Sequence, residues 1–343
     1  MLKYVAIAIL SFAVLLFSVL DANLSLFLYD KFTNPPLTLI PPRFIGQRVW
    51  VTGASSGIGK ELSIRLCKEG AVVVASARRE SELTEVAREC NEGKGRKEGW
   101  GKILPLAFDV MEDEDSLKLR TKTAMILMGG GIDVLVLNAG RSQRQPAVST
   151  PLSTTQALMS LNLYAPISIS LAVLAEADWL SSSRGHIVVT SSLAGKLPVA
   201  LSTSYAASKG ALNQYFSGLR SELPGLRVDL VCPGPVATPI ASFAHTASLA
   251  AGSAAAPVNE GSESKMPVAR CVSLMLSGMS GPWWAMYETW ISEHPPLLFA
   301  YFGQYVPGLT NALAKVVGPK RVEAFTAGKD IYNMKSWGKG QKN

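Results

Sequence analysis

"VTGASSGIGK", residues 51–60, sets three glycines, Gly53, Gly57 and Gly59, between a β-branched run and an amphipathic one. The run "RVWVTG" (48–53) reads as a strand. After it Ile58, Leu62 and Leu66 recur at i, i+4 and i+8, the spacing of one helix face. Strand, glycine turn and helix in this order are what a phosphate cradle needs. Gly53 permits the tight turn, Gly57 lets backbone approach a pyrophosphate, and Gly59 lets helix and strand pack closely. Unpaired N–H groups at the helix start then hold the anion. Ser55, Ser56 and Ile58 complete this candidate dinucleotide loop.

Working outward, short apolar runs alternate with helical stretches: "AVVVASA" (71–77), "ILPLAF" (103–108), "IDVLVLN" (132–138), "GHIVVTSS" (185–192), "RVDLVCPG" (227–234) and "MYETWIS" (286–292). They are nearly continuous in apolar character, as strands covered on both faces are. The pattern predicts an α/β fold, a doubly wound parallel sheet of Rossmann type in a single domain over 47–295.

The second strand ends in "SARRE" (76–80). An NAD site commonly ends this strand with an acid for the ribose 2′-hydroxyl. Here Ala77 stands there, and Arg78 and Arg79 follow, suited by charge and fork geometry to a 2′-phosphate. NADP(H) is therefore expected over NAD. Asp109 and Val110 end the third strand, where a carboxylate can accept from an adenine amine. Asn138, Ala139 and Gly140 end the fourth, where small residues let a cofactor lie against backbone.

"SYAASK" (204–209) sets Tyr205 and Lys209 at i, i+4, on one helix face. A free phenol titrates near ~10 and is a poor base at neutral pH. An ammonium within reach favours the phenolate, and an oxidised nicotinamide adds to this. Such a tyrosine can exchange a proton with a carbonyl or alcohol oxygen. Ser192, 13 residues upstream at a strand end, can hold the same oxygen.

"TGASSGIG", "NAG", "SS" before "YAASK" and "PGPVAT" together make residues 46–295 resemble the short-chain dehydrogenase/reductases. The resemblance implies an oxidoreductase with a four-residue catalytic group. Asn162, in "LNLY", matches the fourth position and supports a water relay to Lys209; Ser192 orients the substrate oxygen; Tyr205 is the acid/base; Lys209 also binds the nicotinamide ribose. It also implies that Pro233, Gly234, Val236 and Thr238 line the nicotinamide side, and that a homodimer can form through the helix carrying Tyr205. One departure is Leu137 before "NAG", where asparagine is frequent. A narrower resemblance, to endoplasmic-reticulum-anchored, NADPH-dependent members acting on retinoids and steroids, rests on "NAGRSQR", "CPGPV", "ARCVSLML" and "WISEHPPLLFAYFGQYVPG". "SSLAGK" resembles the hydroxysteroid 11-β-dehydrogenase type locally.

The chain of 343 residues is 48% hydrophobic and only 17% charged, so a membrane segment is expected. Residues 4–20, "YVAIAILSFAVLLFSVL", are uncharged and as a helix span roughly 25 Å at ~1.5 Å per residue. The reading is a single-pass anchor within 1–30, followed by a proline-rich linker to residue 46; a cleaved signal peptide is the alternative. Sparse flanking charges lean toward a cytosolic N-terminus with the body across the membrane.

The net charge of +7 is concentrated in residues 315–343, where seven lysines and arginines meet Glu323 and Asp330. That is a solvated tail or a contact with anionic lipid, not the stripe a nucleic acid needs. Cys67, Cys90, Cys232 and Cys271 show no close spacing and are expected as buried thiols, not as a disulfide framework or a zinc site. Scattered His186, His245 and His294 give no support to a metal. Residues 239–268, rich in small side chains, are either a lid over the substrate or a surface insertion. The aromatic stretch 295–317, with Leu297, Leu298, Phe299, Tyr301, Phe302, Tyr305 and Val306, either covers the pocket, lies on the membrane or is core; a membrane-facing pocket rim is the favoured reading. The expected activity is NADPH-dependent reduction of a lipophilic ketone or aldehyde, or the reverse oxidation. The alternatives are a hydroxysteroid 11-β-dehydrogenase-like enzyme and a non-catalytic nucleotide-binding membrane protein on the same fold.

Overall fold

A computed structural model of the chain describes residues 44–176, 185–241, 265–280, 288–293, 295–329 and 331, besides residues 4, 5 and 11. The anchor, most of the linker, most of the 239–268 segment and the basic tail beyond 331 lie outside the described residues.

Seven strands form one parallel sheet in the order β3-β2-β1-β4-β5-β6-β7. They are β1 Arg48–Thr52, β2 Val72–Ala77, β3 Lys102–Ala107, β4 Val134–Leu137, β5 His186–Thr190, β6 Arg227–Pro233 and β7 Glu288–Ile291. Each falls within a residue or two of the run the sequence predicts. Helices fill the connections: α1 Gly57–Lys68, α2 Glu80–Asn91, α3 Glu114–Leu127, α4 Leu152–Met159, α5 Ala165–Leu174, α6 Thr203–Glu222 and α7 Val268–Ser280. Two more, α8 Pro296–Tyr305 and α9 Pro307–Thr326, follow the sheet.

Strand periodicity divides the core in two. Val49, Val51, Val73 and Ala75 pack with Leu62 and Leu66 of α1 and Leu274 of α7. Trp50, Val74, Leu135 and Val189 pack on the opposite face with Ile169 of α5 and Phe216 of α6. The indole of Trp50 has its one polar atom satisfied, donating to Ser76 Oγ at 2.9 Å. Leu137 is buried in the second of these cores, so the departure at this position serves packing.

Strand order turns back at β1, which pairs with both β2 and β4. The crevice beyond the carboxyl ends of these strands is where an open α/β sheet binds its ligand. Among the described residues one helical run, Leu152–Leu174, is long and apolar enough to cross a membrane, with 44% of that window buried. It is α4 and α5 joined by a single π turn, Ser160–Tyr164, and its inner face is core of this domain.

The cysteines correct the sequence reading. Cys67, at the end of α1, and Cys90, at the end of α2, form a disulfide; Cys232 and Cys271 are buried thiols, as expected. The two partners are 23 residues apart, with β2 and nearly all of α2 between them, and the side-by-side packing of α1 and α2 brings them together. Replacing both by alanine is expected to lower stability by about 3 kcal/mol, the closure entropy of a loop this size. The measurement is the urea midpoint, and an unchanged midpoint would show that the crosslink contributes nothing.

Candidate active site

One cavity of about 580 Å³ runs along the carboxyl edge of the sheet, from Ala77, Arg78 and Asp109 at one end to α8 and α9 at the other. Every candidate catalytic or cofactor-binding residue named above lies on its wall except Gly59 and Asn162, which pack against Gly53 and Gly140 of that wall.

The glycine loop is held by backbone contact. Gly53 has φ +68°, and a Cβ there would lie 2.7 Å from Ala139 Cα. Gly57 has φ +56° and closes on Thr238, whose Cγ2 would be 3.2 Å from an added Cβ. At Gly59 a Cβ would meet Gly53 O at 2.3 Å. Asn138 sits behind the loop: its Nδ2 donates to Thr52 O and Gly53 O at 3.3 and 3.2 Å. Thr52 Oγ1 accepts from the N–H groups of Asn138 and Ala139. Asn138 thus supports the cradle, and Thr52, which the sequence reading passed over, ties the ends of β1 and β4.

At the adenosine end, Arg79 donates to Ser55 Oγ at 3.0 Å and pairs with Glu82 at 3.1 Å; Arg78 lies 3.7 Å from Asp109. Arg141 lines the same cavity. Burial, and next the neighbouring Arg78, hold its guanidinium below the ordinary arginine range. Ala77, Arg78 and Arg79 form an acid-free wall beside the glycine loop, with Asp109 the only carboxylate on the cavity among the described residues. The residues present therefore fit a nicotinamide dinucleotide.

Lys209 is buried, 5% exposed, and donates to Thr190 O at 2.8 Å. Burial pulls its ammonium down to about 8, so the charge invoked beside Tyr205 is itself costly to maintain here. Ser192 Oγ accepts from Ala194 N–H at 3.1 Å and donates to Pro233 O at 3.3 Å, which orients it at the end of β5. Tyr205 sits in the first turn of α6 and lines the cavity with Ser192 and Lys209. Asn162 is fully buried in the π turn. Its Oδ1 accepts from Arg141 N–H at 2.9 Å, and its Nδ2 donates to Arg141 O at 2.9 Å and Ser208 Oγ at 3.0 Å. The extra residue of a π turn re-aims this side chain, a device frequent at functional sites.

Gln143 is a positioning residue that the sequence reading quoted without assigning a role. It is fully buried, and its Oε1 accepts from the N–H groups of Ser204 and Tyr205 at 2.9 and 3.3 Å. Its Nε2 donates to Thr150 Oγ1 at 2.8 Å, and its carbonyl accepts from Ser202 Oγ at 3.1 Å. It caps the helix that carries Tyr205, a task usually given to the N-cap side chain. Gln143→Leu strands two buried donors and is expected to cost about 1–3 kcal/mol, read as a lower melting temperature. A melting curve unchanged from wild type would remove Gln143 from this role.

The sequence pattern of the short chain dehydrogenase family matches residues 47–248, which include the glycine loop, Ser192, Tyr205 and Lys209. The chain belongs to the short-chain dehydrogenase family. Within it, the chain is similar to the human dehydrogenase/reductase SDR family member 7, at 41% identity over 307 residues, covering 86% of this chain and 87% of that one. It is 36% identical over 209 residues to the hydroxysteroid 11-beta-dehydrogenase 1-like protein of Xenopus tropicalis, covering 60% of this chain and 66% of that one. In fold it matches a short-chain dehydrogenase of Sphingobium yanoikuyae solved in complex with NADPH. The TM-score is 0.60 at 24% identity, covering 77% of this chain and 95% of the other. As a short-chain dehydrogenase, the chain is an oxidoreductase.

The segment after the sheet is where this member carries its own wall. Pro295, Pro296 and Phe299 line the cavity, as do Thr310, Leu313, Ala314, Val317 and Arg321 of α9. Leu297 and Ala300 are buried, whereas Leu298, Tyr305, Val306, Leu309 and Val316 are exposed. Of the alternatives for this stretch, the inner face covers the pocket.

Proposed function

We propose that this short-chain dehydrogenase uses NADP(H) to reduce a lipophilic carbonyl, or to oxidise the corresponding alcohol, with Ser192, Tyr205, Lys209 and Asn162 as its proton-transfer group. The observation that carries this reading is that Ser192, Tyr205 and Lys209 share one cavity with the glycine loop. The relatives named as dehydrogenase/reductase and hydroxysteroid dehydrogenase support it.

Bound NADPH supplies the hydride. The protein's share is proton handling and orientation. Tyr205 gives its phenolic proton to the carbonyl oxygen as negative charge develops there, and takes one back in the reverse direction. Ser192 Oγ, kept in place by Ala194 N–H, would turn its one proton from Pro233 O to the same oxygen when substrate binds. Lys209, at about 8 and so mainly cationic at neutral pH, favours the phenolate that remains. Leu161, Leu193, Leu197, Val199 and Phe299 give the substrate an apolar bed that excludes water.

Preference for NADP(H) rests on Ala77, Arg78 and Arg79. Ala77→Asp is expected to reduce the NADPH:NADH ratio of kcat/KM by about tenfold or more, the worth of losing a charge-assisted contact. Initial rates with both cofactors test this, over a panel of steroid, retinoid and xenobiotic carbonyls. No turnover of any panel member with either cofactor would sink the reductase reading, and an unchanged ratio would sink the 2′-phosphate assignment.

The 1–30 anchor would hold the enzyme to the endoplasmic reticulum membrane. The Cys67–Cys90 disulfide supports a luminal body, since such bonds persist in oxidising compartments.

A further inference from the structure

Two pieces of chain that are distant in sequence meet at the substrate side of the cavity. Leu193 and Leu197 come from the loop that follows Ser192, and Pro296 and Phe299 come from α8. α8 lies directly on that loop. A Cβ at Gly303 would be 2.9 Å from Leu197 Cδ2 and 3.8 Å from Lys196 O.

An ion pair sits at this seam. Lys196 Nζ donates to Glu288 Oε2 at 2.9 Å, and the two side chains are only 21% and 26% exposed. Glu288 opens β7, whose place is set by its parallel pairing with β6. The other carboxylate oxygen, Oε1, accepts from Trp290 Nε1. The Trp290 ring in turn meets that of Tyr301 on α8, with centroids 5.3 Å apart. Leu193, Cys232 and Ala300 form a small buried cluster here, and Leu197 and Trp290 pack against it. One carboxylate thus ties the Ser192 loop, β7 and, through the indole, α8. An isolated surface pair is worth little. This pair is largely withdrawn from water, uses both carboxylate oxygens and adjoins apolar side chains that could pack in more than one way. A polar contact in such a place selects one arrangement. Ser192 belongs to the same frame: it stands four residues before Lys196 and donates to Pro233 O on β6, next to β7.

We propose that Lys196 and Glu288 are positioning residues that determine specificity: their ion pair straps the Ser192 loop to α8 and so fixes the wall against which the distal, apolar part of a long carbonyl substrate lies. This rests on the reductase reading above and deepens it. A carbonyl too short to reach α8 does not need the strap, and neither does the cofactor, whose cradle is at the other end of the cavity.

The test compares benzaldehyde with para-hexylbenzaldehyde, which share a reacting group and differ in reach, on the full-length enzyme with NADPH. Lys196→Met and Glu288→Gln are each expected to lower the hexyl:parent ratio of kcat/KM by about tenfold to a hundredfold, mainly through KM, the range for a lost charge-assisted contact and a misplaced wall. NADPH affinity and benzaldehyde turnover are expected to stay within about twofold, and Lys196→Arg, which keeps the charge, to restore the ratio. Glutamine matches glutamate in size but presents one acceptor oxygen in place of two. Hydrogen exchange at α8 is expected to quicken about tenfold in the two disruptive variants, with α1 unchanged. Unchanged exchange at α8, or an unchanged ratio, overturns the proposal and leaves the reductase reading intact. A ratio lowered only in step with benzaldehyde turnover and α1 protection also overturns it, since that is general loosening. If the wild type reduces neither aldehyde, the reductase reading is what has failed. Binding of para-hexylbenzaldehyde to the enzyme saturated with NADP⁺ then decides: about tenfold weaker binding by the variants upholds the strap, and no difference removes it.

Discussion

Tyr205→Phe is expected to lower kcat by about 10²–10⁴-fold, the worth of a positioned general acid, while leaving the affinity for NADPH within a few-fold of wild type. Phenylalanine keeps the ring but removes the one hydroxyl that can pass a proton to the substrate oxygen. Ser192 cannot substitute, because an aliphatic hydroxyl is a far weaker acid than a phenol and can only hold the substrate oxygen, not protonate it. Lys209, held by Thr190 O at 2.8 Å, is proposed to act through the phenolate and not on the substrate oxygen. Cofactor binding survives because the glycine loop, Arg78 and Arg79 are untouched. Stopped-flow hydride transfer and NADPH fluorescence titration separate the two effects. Retention of more than a tenth of wild-type turnover would take the acid/base role away from Tyr205.

Gly59→Ala is expected to abolish tight NADPH binding and to lower stability by about 1–3 kcal/mol, the cost of forcing one methyl into a packed interior. The added Cβ would lie 2.3 Å from Gly53 O and 2.5 Å from Asn138 Nδ2. The first obstacle is backbone and cannot rotate away. The second is the side chain that donates to Thr52 O and Gly53 O, so relief there undoes the support of the loop itself. Gly218→Ala is the control: it also sits in a helix, α6, and a Cβ there meets nothing within 4 Å. Alanine at an open helical site is neutral or mildly stabilising. Equal melting temperatures and NADPH affinities for the two variants would show that the close approach at Gly59 does not shape the cradle.

The strands were legible because each is a local signal. β1 to β7 are runs of four to seven residues, and in the inner strands β1, β2, β4, β5 and β6 the apolar continuity matches burial on both faces. The glycine loop was legible for the same reason, and so was the Tyr205–Lys209 pair, whose spacing alone sets it on one face. Gln143 was not legible. It lies 61 residues before Ser204, and no local pattern marks a glutamine as the cap of a distant helix. The Cys67–Cys90 bond was missed because two cysteines 23 residues apart carry no spacing signature; they meet through helix packing. The stretch 295–317 was ambiguous because an apolar helical face reads alike against a pocket, a bilayer or a core.

By itself, the sequence determined the parallel α/β sheet and the glycine turn between β1 and α1, and it named the residues proposed for proton transfer. Those depend on backbone conformations and short periodicities that near neighbours dictate. Only the tertiary structure decided which distant groups meet: Gln143 under the start of α6, and Leu313 and Val317 of α9 on the same cavity as Tyr205. Such contacts join segments far apart in the chain, and their energy exists only once the packed layers have brought them within bonding distance.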